Sequence, residues 1–120
     1  MNVRLLRRIK KQILAEPNTF RMDVWSCGTA HCIGGWAAVL TGWTPRIEHG
    51  GIAHSATKGS TCWDIGAITN DSLDIDTIQR VRLTSESRWP DPFRGGRTRK
   101  IRAELAAARI EHFIKTKGEE

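Results

Sequence analysis

The sequence lacks any apolar run long enough to cross a membrane, and its first residues alternate apolar side chains with arginine and lysine instead of forming a signal-peptide core. These absences predict a cytoplasmic protein without a membrane partner. Cysteine is scarce too: the chain has three, an odd number. Because a cytosol keeps thiols reduced, no disulfide framework is expected, and a Cys27–Cys32 bridge would need a backbone that permits it.

Internal repeats and low-complexity segments are also absent, so one domain spanning residues 1–120 is expected. Hydrophobic residues make up 39% of the chain and charged residues 27%, a balance typical of globular proteins. The net charge of +6 favours anionic partners such as nucleic acid, nucleotides or an acidic protein surface. The same charge is equally compatible with a purely solubilising role.

Apolar periodicity predicts an all-α fold of four or five helices. The pattern indicates an amphipathic helix at 2–15 capped by Asn2, a central helix at 29–41, and a final helix at 98–116 capped by Thr98. The first and last helices are expected to pack against the central one. The final helix is apolar on two sides, which is typical of a helix buried between elements or placed at a contact between subunits. A homo-oligomer formed through this helix is therefore an open alternative.

The middle of the chain gives a weaker pattern. Residues 43–59 are expected to form an irregular loop with a turn at two successive glycines. A short helix is predicted at 60–69 and another at 74–84, capped by Asp74. A strand through 78–83 competes with the second helix, because β-branched residues are common there.

Two glycines interrupt the predicted central helix. Its N-cap would be Ser26 or Thr29, and Gly34 and Gly35 lie inside it. Each glycine costs roughly 1 kcal/mol of helix stability relative to alanine. The favoured explanation is the close approach of another helix or of a tryptophan, and the alternative is room for a ligand.

The densest group of chemically capable residues lies at the predicted start of this helix. Gly28 and Thr29 would expose free backbone N–H groups there, which suit phosphate or carboxylate. His31 could add a donor and Trp36 a stacking surface. We therefore predict a ligand-binding site composed of Cys27, Gly28, Thr29, His31 and Trp36. The glycine pattern matches neither a P-loop nor a dinucleotide fingerprint.

The same segment allows two other kinds of site. Cys27 lies before a helix start and could be an activated nucleophile with His31 as its base. The sequence does not identify an acid that would orient His31, and Asp23 is the nearest in sequence. Cys27, His31, Cys32 and Cys62 are possible zinc ligands, but a second paired half-site is missing. No catalytic residue, metal ligand or cofactor is therefore assigned.

Two clusters of basic side chains could contact nucleic acid or an acidic partner, although a solvated surface explains them as well. One lies on the first helix and the other around the start of the last: Arg4, Arg7, Arg8, Lys11, Arg97, Arg99, Lys100 and Arg102. No helix-turn-helix is recognisable, because the connection after the first helix is long and apolar. No interleaving of aromatic and basic residues suggests single-strand stacking.

Residues 25–37 read W-x-C-G-T-x-x-C-I-x-G-W-A, preceded by F-x-M-x-x-W at 20–25. A W-P-x-x-F element follows at 89–93, and an A-A-x-R-I-x-x-F-I segment ends at Ile114. Together these motifs resemble a family of short proteins of bacteria and their phages. The resemblance covers most of the chain in fragments and is poorest at 43–72. It implies a phage or bacterial origin but no reaction, because the family has no settled activity.

These observations together predict a small non-enzymatic binding protein of phage or bacterial origin. It would inhibit or regulate a host factor, as an anti-defence protein does, or capture a small anionic, nucleotide-like ligand. One alternative is a basic nucleic-acid-binding protein, and another is a Cys/His-dependent enzyme or a zinc-stabilised module. The prediction depends on an incomplete catalytic constellation beside a basic, tryptophan-rich domain.

Overall fold

A computed structural model describes all 120 residues, which form five α-helices and one three-stranded antiparallel sheet. The helices are α1 Val3–Ala15, α2 Ile33–Leu40, α3 Ile65–Leu73, α4 Thr77–Thr84 and α5 Arg99–Lys115. The strands are β1 Thr44–Ile47, β2 Ala53–Lys58 and β3 Thr61–Asp64, in the order β1-β2-β3. Short 3₁₀ turns lie at Pro17–Thr19, Glu86–Arg88 and Asp91–Phe93.

The prediction of an all-α fold is wrong, since the chain has a mixed α+β architecture. The segment predicted as an irregular loop, 43–59, contains β1 and β2, and the helix predicted at 60–69 is β3 followed by the start of α3. The inward residues of β2 are the fully buried alanines Ala53 and Ala56. Such small residues give no alternation of large apolar side chains, which is the pattern that identifies a strand.

The outer helices are confirmed. In α1, Asn2 Oδ1 accepts a hydrogen bond from the Leu5 amide at 3.0 Å. In α5, Thr98 Oγ1 accepts one from the Ile101 amide at 3.1 Å. Each cap satisfies a backbone N–H donor that the first helical turn leaves free. Apolar periodicity and capping residues together therefore predict where α1 and α5 begin.

The central helix begins four residues later than predicted, at Ile33. Residues 29–32 lie outside it, and Cys32 is the N-cap, with its Sγ accepting from the Gly35 amide at 3.4 Å. Ser26 and Thr29 are therefore not its caps. The backbone amides of Gly28 and Thr29, which were predicted to lie at a helix start, therefore do not belong to a helix N-terminus.

Helices α3 and α4 also have different boundaries from those predicted. Asp74 is the left-handed residue that ends α3, with φ at 52°, and does not cap α4. The cap of α4 is Asp76, which exchanges hydrogen bonds with Gln79 in a capping box. The competing strand through 78–83 is wrong, because this segment is helical.

Two hydrophobic clusters meet at α2. The larger joins α1, α2 and α5, and Phe20 and Trp89 pack into it from the connecting segments. The smaller lies beneath the sheet and consists of Ala38, Ala53, Ala56, Ile65 and Ile68. Helix α2 therefore lies between the two clusters, as predicted for a central helix, and is shorter than predicted. Of the two outer helices only α1 packs extensively against it, whereas α5 packs mainly against α1, so the predicted packing of the last helix on α2 is wrong.

Gly34 and Gly35 are packing positions, as the favoured explanation predicted. A Cβ at Gly34 would overlap the Trp25 ring and come within 2.8 Å of Thr69 Oγ1 on α3. A Cβ at Gly35 would overlap the Trp25 carbonyl oxygen. The space that glycine leaves is thus filled by the segment that precedes α2 and leaves no room for a ligand.

No helix of the chain combines the length and the apolar character that spanning a bilayer requires. The longest, α5, carries charged residues along much of its length.

Candidate functional site

The segment between α1 and α2 folds back on itself through backbone hydrogen bonds. The Arg21 amide donates to the His31 carbonyl at 3.2 Å, and the His31 amide donates to the Thr19 carbonyl at 2.9 Å. Further along, the Cys27 amide donates to the Ala30 carbonyl at 3.0 Å. These contacts fix residues 19–31 as an ordered loop, which we call the α1–α2 loop.

A cleft of about 720 Å³ lies between the α1–α2 loop, the segment 86–96 and the first turns of α5. This volume falls in the range of roughly 300–1,000 Å³ that is typical of small-molecule sites. Its polar lining includes Arg21, Cys27, Thr29, Arg99 and Arg102, and its aromatic lining is Phe20, Trp89 and Phe93. Residues from distant parts of the sequence therefore form one site.

The cleft brings together members of two sets that the sequence predicted separately. Cys27 and Thr29 come from the predicted ligand site, and Arg99 and Arg102 come from the basic cluster at the start of the last helix. Their convergence depends on the way the α1–α2 loop packs beside α5.

The remaining members of the predicted ligand site do not line this cleft. His31 is buried, with Nδ1 at 2.7 Å from Ser26 Oγ, and its ring meets Trp36 edge-on at 4.8 Å. Trp36 Nε1 donates to the Thr19 carbonyl at 3.0 Å. The Gly28 amide donates to Ser26 Oγ at 3.0 Å. These three residues hold the α1–α2 loop in shape and offer no groups to a ligand in the cleft.

The arginines of the cleft differ in their counter-ions. Arg21 is paired with Asp23, with Nε at 2.6 Å from Oδ1. This hydrogen-bonded pair raises the pKa of the Arg21 guanidinium and lowers the pKa of the Asp23 carboxyl. Arg102 Nε donates to the Gly96 carbonyl at 2.8 Å, and Arg99 Nη1 donates to the Asn18 carbonyl at 3.4 Å. Neither of these two arginines forms an ion pair with a carboxylate.

Cys27 is the one cysteine that lines the cleft. Burial alone would raise the pKa of its thiol, but hydrogen bonds from the Thr29 hydroxyl, the Thr29 and Ala30 backbone and Arg21 lower the pKa to about 7. Its Sγ lies 3.7 Å from Thr29 Oγ1. Burial raises the pKa of the Cys32 thiol to about 11. The two cysteines of the motif therefore differ sharply in thiolate content at neutral pH.

This difference predicts selective alkylation of Cys27. In a Cys62→Ser background, which removes the exposed thiol of β3, iodoacetamide is expected to label Cys27 with a rate that rises with pH around a midpoint near 7. The rate rises because deprotonation produces the nucleophilic thiolate. Cys32 is expected to stay unlabelled until the protein unfolds. Peptide mass spectrometry measures both rates, and a Cys27 midpoint near the ordinary value of about 8.5 would contradict the assignment.

The alternatives of a cysteine nucleophile and of a zinc site find little geometric support. No hydrogen bond joins Cys27 to His31, whose Nδ1 faces Ser26 instead. Cys62 lies exposed on β3, where it pairs with Thr57, and Cys32 caps α2. No group of three or more His, Cys, Asp or Glu side chains is arranged to hold a metal ion.

The other predicted basic residues lie outside the cleft lining. On α1, Arg7 forms an ion pair with Glu111 of α5 at 3.3 Å, and Arg4, Arg8 and Lys11 are exposed. Beside the start of α5, Arg97 and Lys100 are exposed. The predicted basic set therefore divides into two cleft residues, one residue in a surface ion pair and a solvent-facing remainder.

Several residues of the cleft were not predicted as site residues. Arg21, Trp89 and Phe93 line the cavity, and so does the carboxylate of Glu86. The sequence signals only that Arg21 lies inside the F-x-M-x-x-W motif and that Trp89 and Phe93 are the first and last residues of the W-P-x-x-F motif. Sequence spacing could not show that these motifs face each other.

Comparison with known proteins found no matching family model, no matching curated protein and no matching solved structure. The resemblance to a bacterial and phage family through residues 25–37 therefore stays a prediction. The function of the chain must be inferred from the chemistry of the cleft.

Proposed function

We propose that this chain is a non-enzymatic binding protein that captures a small anionic, nucleotide-like ligand in the cleft. The observation that carries the proposal is the pair of cleft arginines without a carboxylate partner, Arg99 and Arg102, which face an aromatic wall. The phage or bacterial origin that we propose rests on the motif resemblance alone.

The two ends of such a ligand suit the two parts of the lining. Guanidinium groups bind phosphate through paired, charge-assisted hydrogen bonds, and neither Nη of Arg102 bonds to another protein group. Thr29 is exposed at the cleft, but its single hydroxyl proton is already engaged with the Cys27 sulfur. Phe93, which is half-buried, supplies apolar surface for a base, whereas Phe20 and Trp89 line the cleft as core residues with little exposed area. A phosphate group would therefore bind near α5, and a flat apolar group against the aromatic wall.

The charges of the lining favour an anion over a cation. Arg21, Arg99 and Arg102 outnumber the carboxylates of Asp23 and Glu86, and Arg21 already neutralises Asp23. Because the Cys27 thiol is partly ionised near neutral pH, the excess positive charge of the cleft is less than one unit, and it still favours an anion.

Binding without catalysis is favoured by the surroundings of Cys27. The lowered pKa favours the thiolate of Cys27, but no histidine or carboxylate bonds to this sulfur to act as a proton acceptor or donor in a reaction. Its contacts with Thr29 and Arg21 instead place a partly ionised sulfur at the edge of the cleft.

Calorimetric titration of the purified protein tests the proposal. The probes are pyrophosphate, a nucleoside diphosphate, the matching uncharged nucleoside and a short random duplex DNA, all at physiological ionic strength. We expect saturable binding of pyrophosphate, tighter binding of the nucleoside diphosphate and weak binding of the nucleoside. Binding of the duplex alone, with an affinity that falls steeply as salt rises, would instead support the nucleic-acid alternative.

A further inference from the structure

Arg109 is fully buried in α5, and it is the largest side chain in the protein with no solvent exposure. Its Nη2 donates to the Arg82 carbonyl at 3.2 Å. No protein group accepts a hydrogen bond from Nε or Nη1, and no carboxylate forms an ion pair with the guanidinium. Two of its three guanidinium nitrogens therefore lack an acceptor within the fold, and the charge lacks a counter-ion.

Such an arrangement opposes folding. A buried charge without a partner loses its hydration and gains too little in return, and each unpaired donor adds a desolvation penalty. The guanidinium lies 5.8 Å from the Phe113 ring centre and 6.0 Å from that of Phe93, contacts that offset only part of this penalty. Burial accordingly lowers the pKa of Arg109, while the charge of Glu120 opposes this shift. Stability of the unliganded fold does not explain an arginine at this position.

The position of Arg109 connects it to the cleft. Arg102, Leu105 and Arg109 follow one another on one face of α5 at helical spacing, and the first two line the cleft. Phe93 lines the cleft as well, and its ring is one of the two that contact the Arg109 guanidinium. Phe93 is therefore a wall that the cleft and the buried arginine share.

Phe93 has a local setting that permits movement. It is half-buried and ends the short 3₁₀ turn Asp91–Phe93. Gly95, two residues later, has φ at 89° and no atoms within 4 Å of the position that a Cβ would occupy. The ring also lies 5.2 Å from that of His112. A rotation of the Phe93 ring about its side-chain bonds would leave the backbone hydrogen bonds of this turn in place and would move one of the two rings that lie over the Arg109 guanidinium.

We infer that Arg109 is a second anion-binding residue beneath the cleft, reached when the Phe93 ring turns aside, and that it binds a terminal phosphate or carboxylate oxygen of the captured ligand. The inference rests on the proposed function and extends it, because it predicts that the end of the ligand lying deepest in the cleft carries an oxyanion. Bound there, an oxyanion would accept a hydrogen bond from Nε or from Nη1, the two nitrogens that find no acceptor within the fold.

An Arg109→Met variant tests this inference through two readouts that should move in opposite directions. Without anion, urea unfolding is expected to show a variant at least as stable as the wild type, because an apolar side chain replaces a buried unpaired charge. The affinity for pyrophosphate, measured by calorimetry, is expected to fall about 10-fold to 100-fold, because the ligand loses a charged hydrogen-bonding partner. A variant that is clearly less stable and binds pyrophosphate with unchanged affinity would overturn the inference.

Two further measurements separate this inference from the proposed function. If the wild type binds pyrophosphate and Arg102→Gln weakens binding while Arg109→Met does not, the inference fails and the proposed function stands. If the wild type does not bind pyrophosphate, both fail. Should Arg109→Met not fold, the side-chain Nε–H nuclear magnetic resonance signal of Arg109 in the wild type decides. The inference predicts that pyrophosphate shifts this signal, and an unmoved signal beside a shifted Arg102 would contradict it.

Discussion

A Gly35→Ala variant is expected to lose about 3 kcal/mol of unfolding free energy, at the upper end of the range for overpacked positions. The added methyl group would overlap the Trp25 carbonyl oxygen and lie 2.9 Å from His31 Cβ. That carbonyl accepts the Cys32 amide at 3.1 Å, so the backbone cannot retreat without breaking the cap region of α2. The gain of about 1 kcal/mol from alanine's helix propensity would not compensate. Urea unfolding measures the loss.

Gly66→Ala is the matched control for this substitution. Gly66 is also a buried helical glycine, but the nearest atom to its added Cβ would be the far end of the flexible Arg80 side chain, at 2.6 Å. Because Arg80 can move aside, the control is expected to change stability by less than about 1 kcal/mol. Equal losses of unfolding free energy for both variants would show that helix packing in general, and not the Trp25 carbonyl, requires a glycine at position 35.

Replacing both unpaired arginines of the cleft, in an Arg99→Gln/Arg102→Gln variant, is expected to weaken pyrophosphate binding by roughly 100-fold or more. Each charged hydrogen-bonding group contributes about 1.5–3 kcal/mol, and a factor of ten corresponds to about 1.4 kcal/mol. The hydrogen bonds to the Gly96 and Asn18 carbonyls are also removed, so circular dichroism and thermal unfolding must accompany the calorimetric titration.

Arg97→Gln/Lys100→Gln provides the control, because it removes the same charge from the same turn of chain. Both residues are exposed and neither lines the cleft. We expect less than a few-fold loss of pyrophosphate affinity for this pair, since neither side chain lines the cleft, whereas Arg99 and Arg102, which are equally exposed, do. Similar losses for the two double variants would show that net charge alone attracts the anion, and the cleft would lose its assigned role.

The parts of the fold that the sequence predicts well are those determined by local chemistry. The starts of α1 and α5 follow from an apolar stripe preceded by Asn2 and by Thr98. The packing role of Gly34 follows from the cost of glycine in a helix, although the tryptophan that fills the space could not be identified in advance as Trp25.

The sheet and the cleft depend on contacts between distant residues. The strands place alanines inward and leave all of β3 exposed, so their apolar pattern is too weak to distinguish from a loop. Cys27 and Arg102 belong to segments far apart in sequence, and only the packing of the α1–α2 loop against α5 brings them to one cavity. The signal that could have identified Arg109 is a single charge within the buried face of α5, between Ala106 and Phe113.

Nuclear magnetic resonance mapping with pyrophosphate tests most directly whether the cleft between the α1–α2 loop and α5 binds an anion. Backbone amide signals of residues 18–30 and 86–105 are expected to shift together and to saturate at one binding constant. Signals of the exposed face of α1 around Arg4 and Arg8, and of the three strands, are expected to stay unchanged. Shifts confined to α1, or shifts that do not saturate, would contradict an anion-binding cleft.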